Sequence, residues 1–154
     1  MLKKILYMFS SKNLTYVLTI LEAIEKIFYY SKEFKDEEEF YFANKQLNFN
    51  ATVNLLIAIG EENKKIDDNL KTSNAISWKN ISAMRDKISH NYRGIDESMV
   101  WDIIQNYLPI LKTLLIEILP KIENYKVYIE EALKSKYYED LTQLSHIKPN
   151  CFLV

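Results

Sequence analysis

Residues Asp96–Ile118 read DESMVWDIIQNYLPILKTLLIEI. Apolar side chains recur at Val100, Ile103, Ile104, Tyr107, Leu111, Leu114 and Ile118, the three-or-four spacing of an amphipathic α-helix. Asp96 stands ahead of the stripe, where a carboxylate can accept from the unpaired first N–H groups of the helix. Pro109 falls inside it. Proline has no N–H, and its ring meets the carbonyl four residues back, so the sequence predicts a kink there. A stripe this long needs apolar partners, and the rest of the chain supplies them.

Leu14, Val17, Leu18, Leu21, Ile24 and Phe28 form a first stripe, with Glu22, Glu25 and Lys26 off it. The acidic segment from Lys32 to Glu39 breaks that pattern. A second helix carries Val53, Leu56, Ile57 and Gly60, where the glycine allows close helix–helix approach; polar residues from Glu61 to Asn74 finish it and form a loop. Ser77 is an N-cap for a third helix that starts at Trp78 and turns Ile81, Met84 and Ile88 inward. Arg93-Gly94 ends this helix, glycine being the residue that tolerates left-handed backbone. Pro120 opens a more polar stretch through Tyr138, read as a fifth helix, with a loose tail from about Thr142.

Two glycines and three prolines in 154 residues are too few for sheets and long loops. The expected fold is all-α, an antiparallel four- to five-helix bundle. It divides into an N-terminal segment 1–12, a bundle 13–120, and a helical extension and tail 121–154. Trp78 and Trp101 are expected to anchor the core, and the 11 Tyr and 7 Phe to serve mostly in packing.

A net charge of −1 gives no global field for nucleic acid. Locally, Lys79, Arg85, Lys87 and Arg93 face a single acid, Asp86, in a modest basic island. Cys151 is alone, so no disulfide closes within the chain, and a reducing cytoplasm is the expected compartment. No uncharged apolar run approaches 18 residues, which argues against a membrane span. Met1 to Phe9 mimics a signal start with too short an apolar stretch, and Cys151-Phe152-Leu153-Val154 matches a prenylation box only formally.

The basic island contains Arg85-Asp86-Lys87-Ile88-Ser89-His90-Asn91-Tyr92, one of two places with a histidine. A histidine with an unperturbed pKa of about 6.5 both takes and gives a proton near neutrality. Arginine stays charged and presents a planar fork that suits phosphate oxygens. The pair has the groups needed to cleave an RNA phosphodiester, with no metal ligand and no cofactor required. Five residues on a helix turn through about 140°, so Arg85 and His90 flank a groove rather than stack. Read in isolation, His90 fits a capping or hydrogen-bonded role at a helix end better than a catalytic one. Ser89 and Asn91 read as turn or capping residues, and His146 as surface.

Ile76 to Arg85, the octapeptide itself, Gly94-Ile95-Asp96, Val100-Trp101 and Leu108-Pro109 together resemble the HepT-like toxins, ribonucleases of the HEPN superfamily. Leu21 to Ile27 and Ile59-Gly60-Glu61 resemble that family's first two helices, and the likeness runs from about Leu14 to Leu119. It implies a bundle that forms a homodimer, with the Arg and His of two copies meeting in one cleft. It also implies a metal-independent endoribonuclease paired with a minimal nucleotidyltransferase antitoxin. Arg85, His90 and Tyr92 occupy the family's Arg-x4-His-x-Tyr positions, with Arg85 and His90 catalytic and Tyr92 the cleft residue that accepts AMP from the antitoxin. Asp86 holds a position where Asn is commoner, and Ser89 and Lys87 are supporting neighbours. The resemblance does not extend over Lys121 to Val154.

Related bundles serve as non-catalytic, substrate-binding partners of a nucleotidyltransferase, and some carry a similar Ser-His-x-Tyr. That is the competing expectation, with an inactive structural dimer as a third.

Overall fold

The computed structural model describes residues 10–90 and 94–146, and of His146 only the backbone. Helix α1 (Lys12–Ser31) is the axis of the fold. Its buried apolar set is Leu14, Val17, Leu18, Ile20, Leu21, Ala23, Ile24 and Ile27, wider than the expected stripe. The widening arises because α3 (Leu47–Lys65) packs along one side and α6 (Leu108–Ile118) along another. A helix covered from two sides must be apolar around most of its girth. Each of these large side chains contributes roughly 1.5–3 kcal/mol by leaving water. Glu22, expected off the stripe, is also buried and is paired with Lys26 one turn on.

The acidic segment does interrupt the helical pattern, and it then starts a short helix, α2 (Glu37–Phe42), with Asp36 accepting from the Glu39 N–H at 2.9 Å. Phe40 from α2 packs against Phe34, Phe49 and Trp101, so Trp101 belongs to an aromatic cluster at one edge of the core. Three left-handed residues, Asn44, Lys45 and Gln46, turn the chain into α3. Helix α3 runs on through Glu61 to Lys65, and Ile66 and Leu70 in the following segment are buried. Among the described residues there is no strand.

Asp96 caps α5 (Glu97–Asp102) as expected, accepting from Ser98 N–H at 2.9 Å and Met99 N–H at 3.3 Å. Asp96→Ala should cost about 1 kcal/mol and lower the thermal midpoint by about 2–4 °C, read by circular dichroism.

The predicted kink at Pro109 takes the form of a π-helical turn, Ile103–Tyr107, inserted between α5 and α6. The Leu108 N–H reaches back five residues to the Ile103 carbonyl, and the wider turn gives the proline ring room. The extra residue also moves the inward register by one. Leu108 is buried and Tyr107 is exposed, the reverse of the stripe expected from the sequence. The resulting helical stretch, Glu97–Lys121, is long and apolar enough to cross a membrane by length and composition alone, with Asp102, Lys112 and Glu117 interrupting its apolar run, in keeping with the sequence reading. Its inner face, Val100, Ile104, Leu108, Leu111, Leu115 and Ile118, is spent on the core.

Two further expectations, both C-terminal, are corrected, and one about the end of the third helix falls on residues outside those described. Arg93, expected to end the third helix together with Gly94, lies outside the described residues, which stop at His90 and resume at Gly94. The fifth helix, α7 (Tyr125–Leu133), begins after Pro120, since Leu119–Lys121 close the preceding helix as a 3₁₀ turn. The stretch from Thr142 is not loose as far as His146: Thr142–His146 form a 3₁₀ turn, Leu141 and Leu144 are buried, and Gln143 donates to Glu25 at 3.4 Å. Met1 to Phe9 and Ile147 to Val154, with Cys151, lie outside the described residues.

Candidate active site

Helix α4 (Trp78–His90) carries the Arg-x4-His pair, and its start is fixed from several directions. Ser77 Oγ accepts from the Asn80 N–H at 3.3 Å, the expected N-cap. Trp78 is buried and donates through Nε1 to the Ser73 carbonyl at 3.2 Å. From α3, the buried Asn63 amide donates to the Trp78 carbonyl and to Ser82 Oγ, both at 3.0 Å. Ile81 and Ile88 are buried and Met84 half-buried, so the predicted inner face holds.

Arg85 leaves α4 on the side of α3, directly over Gly60. A Cβ built on Gly60 would lie 2.4 Å from Arg85 Cβ and 3.2 Å from the Ile81 carbonyl oxygen. Only glycine lets the two helices meet this closely, which is the approach expected of Gly60. The guanidinium then enters a ring of charges. Its buried Nε is ion-paired with Glu61 Oε1, although the N–H is not aligned on that oxygen as a hydrogen bond. Its Nη1 donates to Asp86 Oδ1 at 2.9 Å. Lys64 closes the ring, 3.5 Å from Glu61 and 3.6 Å from Asp86.

The hydrogen bond from Arg85, followed by the nearby Lys64 ammonium, holds the Asp86 carboxyl below the ordinary carboxylate range. The same pairing raises Arg85, chiefly through its hydrogen bond to Asp86. For a depressed carboxylate, the stabilisation is present above the unfolded value, about 3.9 for Asp, and is lost as pH falls through the folded value. Any advantage in thermal midpoint of the native chain over Asp86→Asn should therefore hold at pH 7 and vanish in acid well below pH 4. The pair is exposed, so the difference will be small.

His90 is the last residue of α4 and is exposed. Five residues past Arg85, it lies about 140° around the helix and about 7.5 Å along it, on the side away from α3. Asp86 and Lys87 occupy the turn immediately before it. Lys87 and Ser89 are exposed, and Tyr92 lies outside the described residues with Asn91 and Arg93. A cavity of about 270 Å³ opens between α4 and the π turn, with Asn80, Met84, Lys87, Met99, Asp102 and Tyr107 in its wall. Among the described residues no three His, Cys, Asp or Glu side chains gather as a metal-ligand set.

The basic island is thus less basic than a count along the sequence implies. Glu61 arrives from another helix, and the ring of Glu61, Lys64, Arg85 and Asp86 carries no net charge. Glu61 and Lys64 are not among the neighbours expected from the sequence. The available signal was Gly60: a glycine chosen for close approach places the next residue against whatever approaches.

The class defined by these features is a helical bundle that offers a braced guanidinium and an exposed imidazole on one helix. Comparison with known proteins sharpens it. A family model described as HepT-like, "Ribonuclease HepT-like", matches residues 20–118. The "Probable ribonuclease HepT" of Thermococcus cleftensis is 34% identical over 98 residues, covering 63% of this chain and 86% of the relative. A Methanocaldococcus jannaschii protein named a putative RNase is 32% identical over 109 residues, 70% of this chain and 88% of its own. Another from that organism, named a gamma-glutamylcyclotransferase and putative RNase, is 32% identical over 112 residues, 72% of this chain but only 49% of the relative, so the chain spans about half its length. No solved structure matches. The chain belongs to the HepT-like ribonuclease family.

Proposed function

We propose that the protein is the toxin of a toxin–antitoxin pair and an endoribonuclease that needs no metal. The observation that carries this reading is the family match over residues 20–118, which takes in Arg85 and an exposed His90 at the end of α4. In the reaction, His90 removes the proton from a ribose 2′-OH, or supplies one to the departing 5′-oxygen. The 2′-oxygen attacks the adjacent phosphorus and the P–O5′ bond breaks. A 2′,3′-cyclic phosphate and a 5′-hydroxyl remain. Arg85 stabilises the charge that builds on the phosphorane oxygens.

One chain presents Arg85 and His90 about 140° apart on its helix, which favours a cleft shared by two copies. In a symmetric dimer the second His90 takes the complementary acid or base role. Tyr92 lines that cleft and accepts AMP from a cognate minimal nucleotidyltransferase antitoxin. The added phosphate would occupy the position of an RNA phosphate, and repulsion and bulk would silence the enzyme. The pair acts in the cytoplasm.

A second reading, a non-catalytic partner of a nucleotidyltransferase, draws on the cancelled charge around Arg85. Incubation of the purified protein with RNA in excess EDTA separates the two, with intact mass showing that no AMP is attached. Cleavage that persists in EDTA supports the ribonuclease; intact RNA after incubation with the AMP-free protein supports the partner.

A further inference from the structure

An arginine that must meet a phosphate works best when its long side chain is already ordered, because fewer rotamers are lost on binding. The surroundings of Arg85 supply that order from a second helix. Gly60 brings the Arg85 stem against α3, and Glu61, the next residue, meets the buried Nε. Asp86 takes Nη1 from the other side, and Lys64 stands between the two carboxylates. Among the described residues Nη2 has no hydrogen-bond or ion-pair partner. One edge of the planar fork is therefore held while the Nη2 corner stays open.

We infer that Glu61 is a positioning residue for Arg85: with Gly60 and Lys64 it sets the guanidinium so that Nη2 faces a phosphate oxygen of the RNA. The inference rests on the reading of Arg85 as the phosphate-binding group. It runs against the simpler view that a carboxylate beside a catalytic cation weakens it. A carboxylate acting only as a competitor for Arg85 would, when removed, leave a faster enzyme. A positioning carboxylate would leave a slower one that binds RNA no worse, because a negative charge has been taken from the phosphate path.

Glu61→Gln tests this, since Gln keeps the length of the side chain and loses its charge. Position 61 is 42% exposed at its side chain, so the fold is expected to survive. Turnover should fall between about 10- and 100-fold, the scale on which moving a reacting group by about 1 Å acts. KM should not rise. The neighbouring Glu62→Gln, which removes the partner of Lys65 instead, serves as the control. A second readout does not depend on activity: the Arg85 Nε–Hε resonance of the ¹⁵N-labelled full chain, identified by its loss in Arg85→Lys. Its exchange with water should quicken in Glu61→Gln and not in Glu62→Gln. Turnover at or above that of the native chain, or unchanged Nε–Hε exchange, would overturn the inference. If the native chain cuts no RNA, the ribonuclease reading fails on its own, and the resonance still decides whether Glu61 holds Arg85.

Discussion

His90→Ala is expected to lower the single-turnover rate of RNA cleavage by about 10²- to 10⁴-fold, the range over which a positioned general acid or base acts. The fold should be little affected, because His90 is exposed and is the last described residue of α4. A coincident melting curve would establish that. Arg85→Ala should fall in the same range, since on the proposed mechanism it removes the group that meets the developing phosphorane charge. Arg85→Lys should recover little, for an ammonium cannot reproduce a planar fork held at Nε and Nη1. The double variant His90→Ala, Arg85→Ala should be scarcely slower than either single one. Groups that act as a unit are not additive.

Gly60→Ala is expected to damage both stability and activity, although alanine is the better helix former. In a helix interior that exchange ordinarily stabilises by about 0.5–1 kcal/mol. Here the new methyl group would stand 2.4 Å from Arg85 Cβ and 3.2 Å from the Ile81 carbonyl oxygen. Neither is the yielding end of a flexible chain, so α3 and α4 must separate. Overpacking of this kind costs about 1–3 kcal/mol, which outweighs the gain in propensity. The same displacement carries Arg85 away from Glu61, and a shift of about 1 Å lowers turnover by about 100-fold. Thermal denaturation and turnover, measured on one preparation, read the two effects. A variant of native activity would show that the close approach of the helices is not what places Arg85.

The elements whose register is set locally were legible in the sequence. Ser77 and Asp96 cap α4 and α5 as read, and the inner faces of α4 and of the first part of α5 follow the apolar spacing. What escaped the reading depends on neighbours or on an added residue. The π turn at Ile103–Tyr107 is invisible to a fixed 3.6-residue period, and it exchanged Tyr107 for Leu108 on the buried face. The breadth of the apolar surface on α1 reflects packing from two sides, which no single stripe announces. Leu141 and Leu144 find the core from a segment whose composition is polar. At the site, Arg85, Asp86 and His90 could be picked out as one motif along the chain, whereas Glu61 and Lys64 come from another helix, some 20 residues away. The motif names the groups proposed to react; the partners that hold Arg85 are contributed by the fold.

The chemistry of the RNA ends produced is the measurement that decides most directly whether Arg85 and His90 form a transesterifying site. A labelled RNA would be incubated in EDTA with the AMP-free native protein and, separately, with His90→Ala, and the new termini determined. Fragments ending in a 2′,3′-cyclic phosphate and beginning with a 5′-hydroxyl, made by the native chain and absent with His90→Ala, are the expected result. Fragments with 3′-hydroxyl and 5′-phosphate ends, fragments made equally by His90→Ala, or no fragments from the native chain would contradict it.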